Sequence, residues 1–444
     1  MKKLTTILIF VLAVTFNLLA AEKPARPNIL FILADDTGID DYSCYGSDRF
    51  KGKTPNIDAL AKSGVRFERC YSEPLCGPSR CQIMTGRYVF RSGGVSNQSA
   101  HTPSIKNEPS LAKTLKAAGY ATGMAGKWRQ MGESPGDWGF DEFITDNMAG
   151  GWYWKTSYNK NGQRVQTTNE VYCPDVCLEF TKDFLRRHKS EPFYFYFPTH
   201  LVHGPILRTP DTKGGTSDPE ALYNDNIAYM DKQVGQLVAE LEKLGLREKT
   251  LIIFSGDNGT AKQSGTIGGR QIHGQKGTLM EGGARVPLIA NWRGVTRADT
   301  VLKDFVDFSD FFPTFAEVAG AKMPEGVKFD GRSFAPQLHG EKGIPREWIF
   351  VQLGARWYAR NDGWKLSQAG ELYDMSDSPF VEKLVATDNQ TDAAKAGRKQ
   401  LQAVLAELNP AGGKTDSPED EAAAKAAKKA KRKAKRQAEA TAKQ

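Results

Sequence analysis

The sequence predicts an α/β fold, with a large, mostly parallel central sheet flanked by helices and a small C-terminal antiparallel sheet after it. Three observations carry this expectation. Short, continuous, mostly apolar runs, NILFILA at 28–34, PFYFYFP at 192–198 and TLIIFS at 250–255, have the pattern of strands buried on both faces. Segments of helical spacing lie between them, as crossover connections require. From about Trp348 the pattern changes to WIFVQL, WYAR and WKLSQ, the last two separated by the hairpin turn signal Asn361-Asp362-Gly363.

Taken in order, Asn28–Ala34 is the first buried strand and ends in Asp35-Asp36. Pro55–Ser63 is a helix with Thr54 as its N-cap and Gly64 as its stop. Leu111–Ala118 is a second helix, closed by Gly119, and Tyr120–Ala125 continues as a strand. Pro192–Pro198 leads to His200 and His203, and Pro219–Leu244 is a long amphipathic helix. Thr250–Ser255 again ends in polar residues, Gly256-Asp257-Asn258-Gly259, and Val286–Asn291 is a fourth strand. Reactive residue types thus fall just after strands, where open α/β sheets bind ligands. No internal repeat is evident.

The ends of the chain read differently. Residues 1–21 form a signal peptide: Lys2 and Lys3 start it, Leu4 to Leu19 are mostly apolar, and Ala20 and Ala21 offer a small-residue cleavage point. The apolar stretch is shorter than the about 20 residues a spanning helix needs, so export to periplasm or medium is expected, without stable membrane insertion. No Cys stands at the cleavage point for a lipid anchor. The catalytic domain is expected over 26–343, a C-terminal subdomain over 344–410, and a Lys/Ala-rich tail over 411–444. That tail, with eight Lys/Arg and no acid between Lys425 and Arg436, accounts for most of the net charge of +8. An exported protein rarely meets nucleic acid, so the tail is read as a solvated appendage, partly helical or disordered. The six cysteines, Cys44, Cys70, Cys76, Cys81, Cys173 and Cys177, are too few for a disulfide-stapled scaffold of 444 residues. Cys173 and Cys177 either pair or are simply buried; no His or Cys pair follows at zinc spacing.

Cys76, in LCGPSRCQIMTGRY, stands at the mouth of a helix expected to begin near Ser79, with Pro78 stiffening the entry. A helix N-terminus and nearby Arg80 would stabilise an anionic atom on residue 76. From these residues alone Cys76 reads either as a thiolate nucleophile or as an ordinary buried cysteine.

Cys76-Gly77-Pro78-Ser79-Arg80, followed by Met84-Thr85-Gly86-Arg87, resembles the signature C-x-P-S-R-x-x-x-L-T-G-R of the formylglycine-dependent sulfatases, with only Met for Leu. ADDTGIDDYSCYG, GYATGMAGKW, KGTLMEGGARVP, DFFPTFAEVAG and GELYDMSDSP have family counterparts in the same order, so the resemblance runs from about Pro27 to about Ala386. It implies an alkaline-phosphatase-like architecture. It also implies that Cys76 is oxidised to formylglycine by a maturation enzyme reading the local sequence.

Asp35, Asp36, Asp257 and Asn258 offer only hard oxygen ligands, which suit Ca²⁺ or Mg²⁺ and not zinc or copper. In the family these positions bind calcium, which also holds an oxygen of residue 76. Lys127 and Lys276 match two lysines that grip the sulfate, and His203 matches the histidine that protonates the leaving alcohol. Among the other histidines, His200 is read as shaping the pocket, while His101, His188 and His339 are read as structural or solvated. The implied reaction has a hydrated formylglycine, activated by calcium and Arg80, attack sulfur; the covalent sulfo-enzyme then collapses.

One residue departs from the family. After Gly126-Lys127-Trp128 the usual histidine is replaced by Arg129. Arginine is a poor general base. Either Arg129 stabilises the hydrate as an anion, or another group such as His273 takes the proton; an inactive relative is the remaining alternative. The aromatic cluster Trp152, Tyr153 and Trp154 either stacks on sugar rings or belongs to the core, and Trp138 reads as core. The function expected is sulfate-monoester hydrolysis, on a sulfated polysaccharide or glycosaminoglycan fragment. A phosphoester or phosphonate hydrolase and a non-catalytic sulfoglycan-binding protein are the rivals.

Overall fold

The computed structural model describes residues 26–99, 101–129, 131–146, 153–154 and 157–417, with scattered positions between 419 and 430. The expected signal segment, Trp152 and the lysines and arginines of 425–436 lie outside the described residues. Among those described, no helix is long and apolar enough to cross a membrane.

In chain order the strands are β1 (Asn28–Ala34), β2 (Val65–Tyr71), β3 (Ala121–Gly126), β4 (Glu142–Asp146), β5 (Ser157–Lys160), β6 (Gln163–Gln166), β7 (Phe193–Pro198) and β8 (Thr250–Gly256). They continue with the short ribbon β9 (Gly265–Ile267) and β10 (Arg270–Ile272), then β11 (Arg285–Trp292) and β12 (Thr300–Asp307). The main sheet has ten strands in the order β12-β2-β11-β8-β1-β7-β3-β4-β5-β6. From β8 to β4 every neighbouring pair is parallel. The strand expected at 286–291 is present as β11 but runs antiparallel to β8 and β2, because it returns from a loop at the carboxyl edge.

The apolar runs are buried on both faces, as their composition requires. In β1, Leu30, Ile32 and Ala34 join one core while Ile29, Phe31 and Leu33 join the other. Strand β7 divides likewise, Phe193, Phe195 and Phe197 to the first core and Tyr194 and Tyr196 to the second. The first face is covered by the helices Pro55–Lys62, Cys173–Arg187 and Pro219–Lys243. The second is covered by Cys76–Thr85, Leu111–Ala117 and Phe311–Ala319. Thr54 does occupy the N-cap position of the first helix, but its side chain makes no cap bond and instead donates to Asp58 Oδ1 at 3.1 Å.

The C-terminal sheet is an antiparallel meander of β13 (Ile349–Leu353), β14 (Arg356–Arg360), β15 (Trp364–Ser367), β16 (Leu372–Asp374) and β17 (Lys383–Val385). Alternation gives it two apolar faces. Phe350, Trp357, Ala359, Leu366 and Leu372 pack under the helix Asp392–Leu408, while Ile349, Val351 and Tyr358 pack on Tyr71, Ala284 and Phe305 of the main domain. None of the six cysteines is in a disulfide, and Cys173 and Cys177 are buried.

Candidate active site

Register places the site. Ala34 pairs with Gly256, so Asp35 and Asp257 follow side by side at the carboxyl edge. Gly126 pairs with Thr145, so Lys127 and Asp146 stand at the same level one strand apart. The Lys127 N–H donates to the Pro198 carbonyl at 2.8 Å, which sets the loop carrying His200 and His203 beside them. A Cβ on Gly126, whose φ is +132°, would stand 2.0 Å from that carbonyl oxygen, so only glycine allows this approach.

Cys76 is the first residue of the helix Cys76–Thr85, with Leu75 as N-cap. The helix therefore begins three residues earlier than the sequence suggested. Pro78 falls within the first turn, where a missing N–H costs nothing. Every residue of this helix is buried, so the nucleophile candidate is held rigidly at the amino end of a buried dipole.

Ligand atoms of Asp35, Cys76 and Asp257 lie within 4.8 Å of one another, and so do those of Asp35, Asp36 and His203. Arg80 reaches from the next turn and donates to Asp257 Oδ2 at 2.7 Å and Asp35 Oδ2 at 3.3 Å. It also donates to the Lys127 carbonyl at 3.2 Å and the Tyr196 hydroxyl at 3.4 Å. The Lys127 ammonium pairs with Asp35, and that of Lys276 with Asp36. Asn258 Nδ2 donates to Asp36 Oδ1 at 2.9 Å, and the Asp36 N–H donates to Asp257 Oδ1 at 3.1 Å. Asp35 Oδ1 and Asn258 Oδ1 are buried and lack a hydrogen-bond partner among the described residues. Orphaned hard oxygens within an acidic cluster fit a hard divalent cation.

The charges are strongly coupled. Burial pushes the Asp35 carboxyl up, but Lys127, His203, Arg80 and Lys276 outweigh it and hold the group below the usual carboxylate range. Burial, reinforced by the charge of Asp35, raises Asp257 to about 6 against the pull of Arg80 and Lys127. Burial lowers His203 despite Asp35, and its Nδ1 donates to the Gly204 carbonyl at 2.6 Å.

Lys276 arrives on the loop before β11. The Lys276 N–H donates to Thr260 O at 3.2 Å and the Gly277 N–H to Pro74 O at 2.8 Å. Glu281 anchors the same loop to the C-terminal sheet. Its carboxylate accepts from Arg360 Nη1 at 2.6 Å, Ser378 Oγ at 2.6 Å, Tyr71 OH at 2.9 Å and Arg285 Nη1 at 3.3 Å. Lys365 adds a bond to the Leu279 carbonyl at 3.1 Å and pairs with Glu382.

Arg129 sits in the wall of the site. Its Nη1 donates to Asp146 Oδ1 at 2.7 Å and to the Trp128 carbonyl at 3.1 Å. The other oxygen of Asp146 bonds His200 Nε2 at 3.2 Å, so one carboxylate joins the departing arginine to a buried histidine. His273 is exposed. Tyr153 is core: its hydroxyl donates to the His200 carbonyl at 3.0 Å and the His203 carbonyl at 2.7 Å, bracing the histidine loop. Trp154 is half-buried against Tyr172, and Trp138 is buried. His188 bonds Glu142 and Glu191, His339 packs edge-on to Trp292, and His101 is exposed.

The sequence reading missed Asp146 and Asn97. Asp146 carries the signal used elsewhere, an acid closing an apolar strand. Asn97 lies in the polar loop GGVSNQS and carries no signal, yet its Nδ2 is 3.4 Å from Cys76 Sγ.

Comparison with known proteins places these features in a family. The Sulfatase family model matches residues 27–321. Human arylsulfatase D is 29% identical over 77% of this chain and 74% of its own length. The PsFucS1 sulfatase from Pseudoalteromonas sp. superposes with a TM-score of 0.74 at 25% identity, over 88% of this chain and 92% of that one. Ps i-CgsB in complex with k-i-k-neocarrahexaose gives a TM-score of 0.68 at 27% identity, over 87% and 92%.

Proposed function

The chain belongs to the sulfatase family, and on that premise we propose that it hydrolyses sulfate monoesters of carbohydrates at a formylglycine made from Cys76. The observation that carries this reading is the convergence of Cys76, Asp35 and Asp257 within 4.8 Å at a helix amino terminus. Arg80, Lys127 and Lys276 supply cations at the same point.

A sulfate monoester is an anion and repels an incoming nucleophile. Lys127 and Lys276 neutralise its oxygens, and their buried or half-buried setting makes that neutralisation stronger than in water. Arg80 pairs with both Asp35 and Asp257, partly offsetting their mutual repulsion, and adds positive charge next to residue 76. Formylglycine at position 76 would supply a hydroxyl nucleophile whose carbon can afterwards release the sulfate. Asp35, Asp36, Asp257 and Asn258 would hold calcium, which supplies Lewis-acid neutralisation at the reacting oxygens. His203 delivers a proton to the leaving alcohol oxygen. Arg129 is a poor general base and contributes electrostatics. Its tie to Asp146 holds it in the wall beside His200.

A sulfated carbohydrate is the proposed substrate, supported by the carbohydrate ligand in the Ps i-CgsB complex. Export through the N-terminal segment and maturation by a formylglycine-generating enzyme that reads Cys76–Arg80 complete the proposal. The test is a panel of sulfated sugars beside matched phosphate esters, using protein made with and without the maturation enzyme. Turnover of sulfate esters only by the matured protein is expected. A preference for phosphate esters, or equal activity with an intact Cys76 thiol, would overturn the reading.

A further inference from the structure

The segment after the helix Asp392–Leu408 returns to the catalytic domain. The Lys414 N–H donates to the Phe90 carbonyl at 2.6 Å, and its ammonium donates to the Ser92 carbonyl at 3.1 Å. Asp416 is 3% exposed. Its Oδ2 accepts from Ser96 Oγ at 2.6 Å and its Oδ1 from Ser99 Oγ at 2.9 Å. One buried carboxylate therefore closes both sides of a tight loop. Val95, at the start of that loop, is tied by its carbonyl to the Gly354 N–H at 2.9 Å.

The residue inside this clamp is Asn97. Its Oδ1 accepts from the Gly77 N–H at 3.0 Å. A backbone N–H can only donate, so this bond fixes which end of the carboxamide is oxygen. The NH₂ end is then turned onto the side chain of residue 76, with Nδ2 3.4 Å from Sγ. A carboxamide N–H is a donor and favours negative charge on the atom it faces. It approaches residue 76 as a side-chain donor at the helix amino end.

We propose that Asn97 is a catalytic contact to residue 76, donating from Nδ2 to its γ atom, and that Asp416 is the positioning residue that holds Asn97 there. The catalytic part rests on the sulfatase reading given above; the contact itself does not. In the matured enzyme the γ atom is the oxygen that reacts, so a fixed donor stabilises it whenever it carries charge. The C-terminal segment thereby becomes part of the active-site support.

Two experiments separate the claims. The first uses full-length protein made without the maturation enzyme, with a thiol at position 76, in EDTA at one pH. Alkylation of Cys76 by iodoacetamide is followed by peptide mass spectrometry. Asn97→Ala should slow it several-fold through loss of the donor. A purely steric role predicts the reverse, because alanine opens space beside the thiol. The second uses matured protein, with conversion of residue 76 measured by mass. Asn97→Ala should lower kcat by about 10–100-fold with little change in KM, the range for a hydrogen bond to a charged group. Asp416→Ala should lower kcat less, and should have no further effect in the Asn97→Ala background. Additive losses would reduce Asp416 to a general stabiliser and overturn its assignment. Alkylation and kcat both within twofold of wild type in Asn97→Ala would overturn the contact. If residue 76 is never converted, the sulfatase reading falls while the alkylation result still decides Asn97.

Discussion

Glu281 offers the sharpest quantitative test of how the site is held. It lies five residues after Lys276, is buried, and accepts four side-chain donors, two of them the arginines Arg285 and Arg360. Glu281→Gln keeps the shape and removes the charge, leaving Arg360 buried beside Tyr71 without its counter-ion. Breaking a buried ion pair at one partner costs roughly 3–5 kcal/mol. An independent route agrees in size. Burial would raise the Glu281 carboxyl, but Arg360 and Arg285 outweigh it and bring it from 4.5 down to about 2. A drop of that size corresponds to ~3 kcal/mol of native stability. The sign follows: the folded pKa is depressed, so this stability is fully present above pH 4.5 and is lost as pH falls toward 2. Urea unfolding at pH 7 should therefore show Glu281→Gln less stable by about 3 kcal/mol, a large part of the 5–15 kcal/mol typical of a folded protein. The gap should close on acidification to about pH 2. Activity should fall as well, because the Lys276 loop loses its anchor. A loss under about 1 kcal/mol, or a gap that does not depend on pH, would refute the reasoning.

Cys76→Ala should abolish sulfate-ester turnover while circular dichroism stays unchanged, and peptide mass spectrometry of wild type from a maturation-competent host should show an aldehyde at position 76. Asp257→Ala or Asp35→Ala should remove bound calcium and activity together, as measured by elemental analysis beside turnover; full activity in metal-free protein would refute the assignment of Asp35, Asp36, Asp257 and Asn258. His203→Ala should slow esters with poor alkyl leaving groups by about 10²–10⁴-fold and esters with good aryl leaving groups much less, as loss of a general acid requires. If Arg129 acts in sulfate release, Arg129→Ala should give a burst of product before a slow steady state; if His273 is the base, His273→Ala shows the burst and Arg129→Ala mainly raises KM.

Much of the architecture was legible in the chain. NILFILA, PFYFYFP and TLIIFS are continuous runs of mostly apolar residues without alternation, so each had to be a strand buried on both faces, and β1, β7 and β8 are the adjacent centre of the sheet. The polar residues closing those runs had to emerge at one edge, which gathered Asp35, Asp36, His203, Asp257 and Asn258. Strands β5 and β6 escaped notice because at the sheet margin β5 is only partly buried, β6 is largely exposed, and both carry little apolar pattern. The antiparallel direction of β11 was likewise unreadable, since buried strands of either direction look alike.

The sequence by itself determined the candidate reaction centre, because Cys76–Arg80 and the strand-end acids are local patterns whose members lie close together in the chain. Only the tertiary structure decided what braces that centre. Arg129 meets Asp146 across a gap of 17 residues, and Asn97 reaches Gly77 across 20. Glu281 meets Tyr71 across 210, and Asp416 meets Ser96 across 320. A polar side chain in a loop has no period and no fixed partner until the sheet register and the docking of the C-terminal sheet bring distant segments together. Burial then makes each such contact strong, by removing the water that would otherwise compete for it.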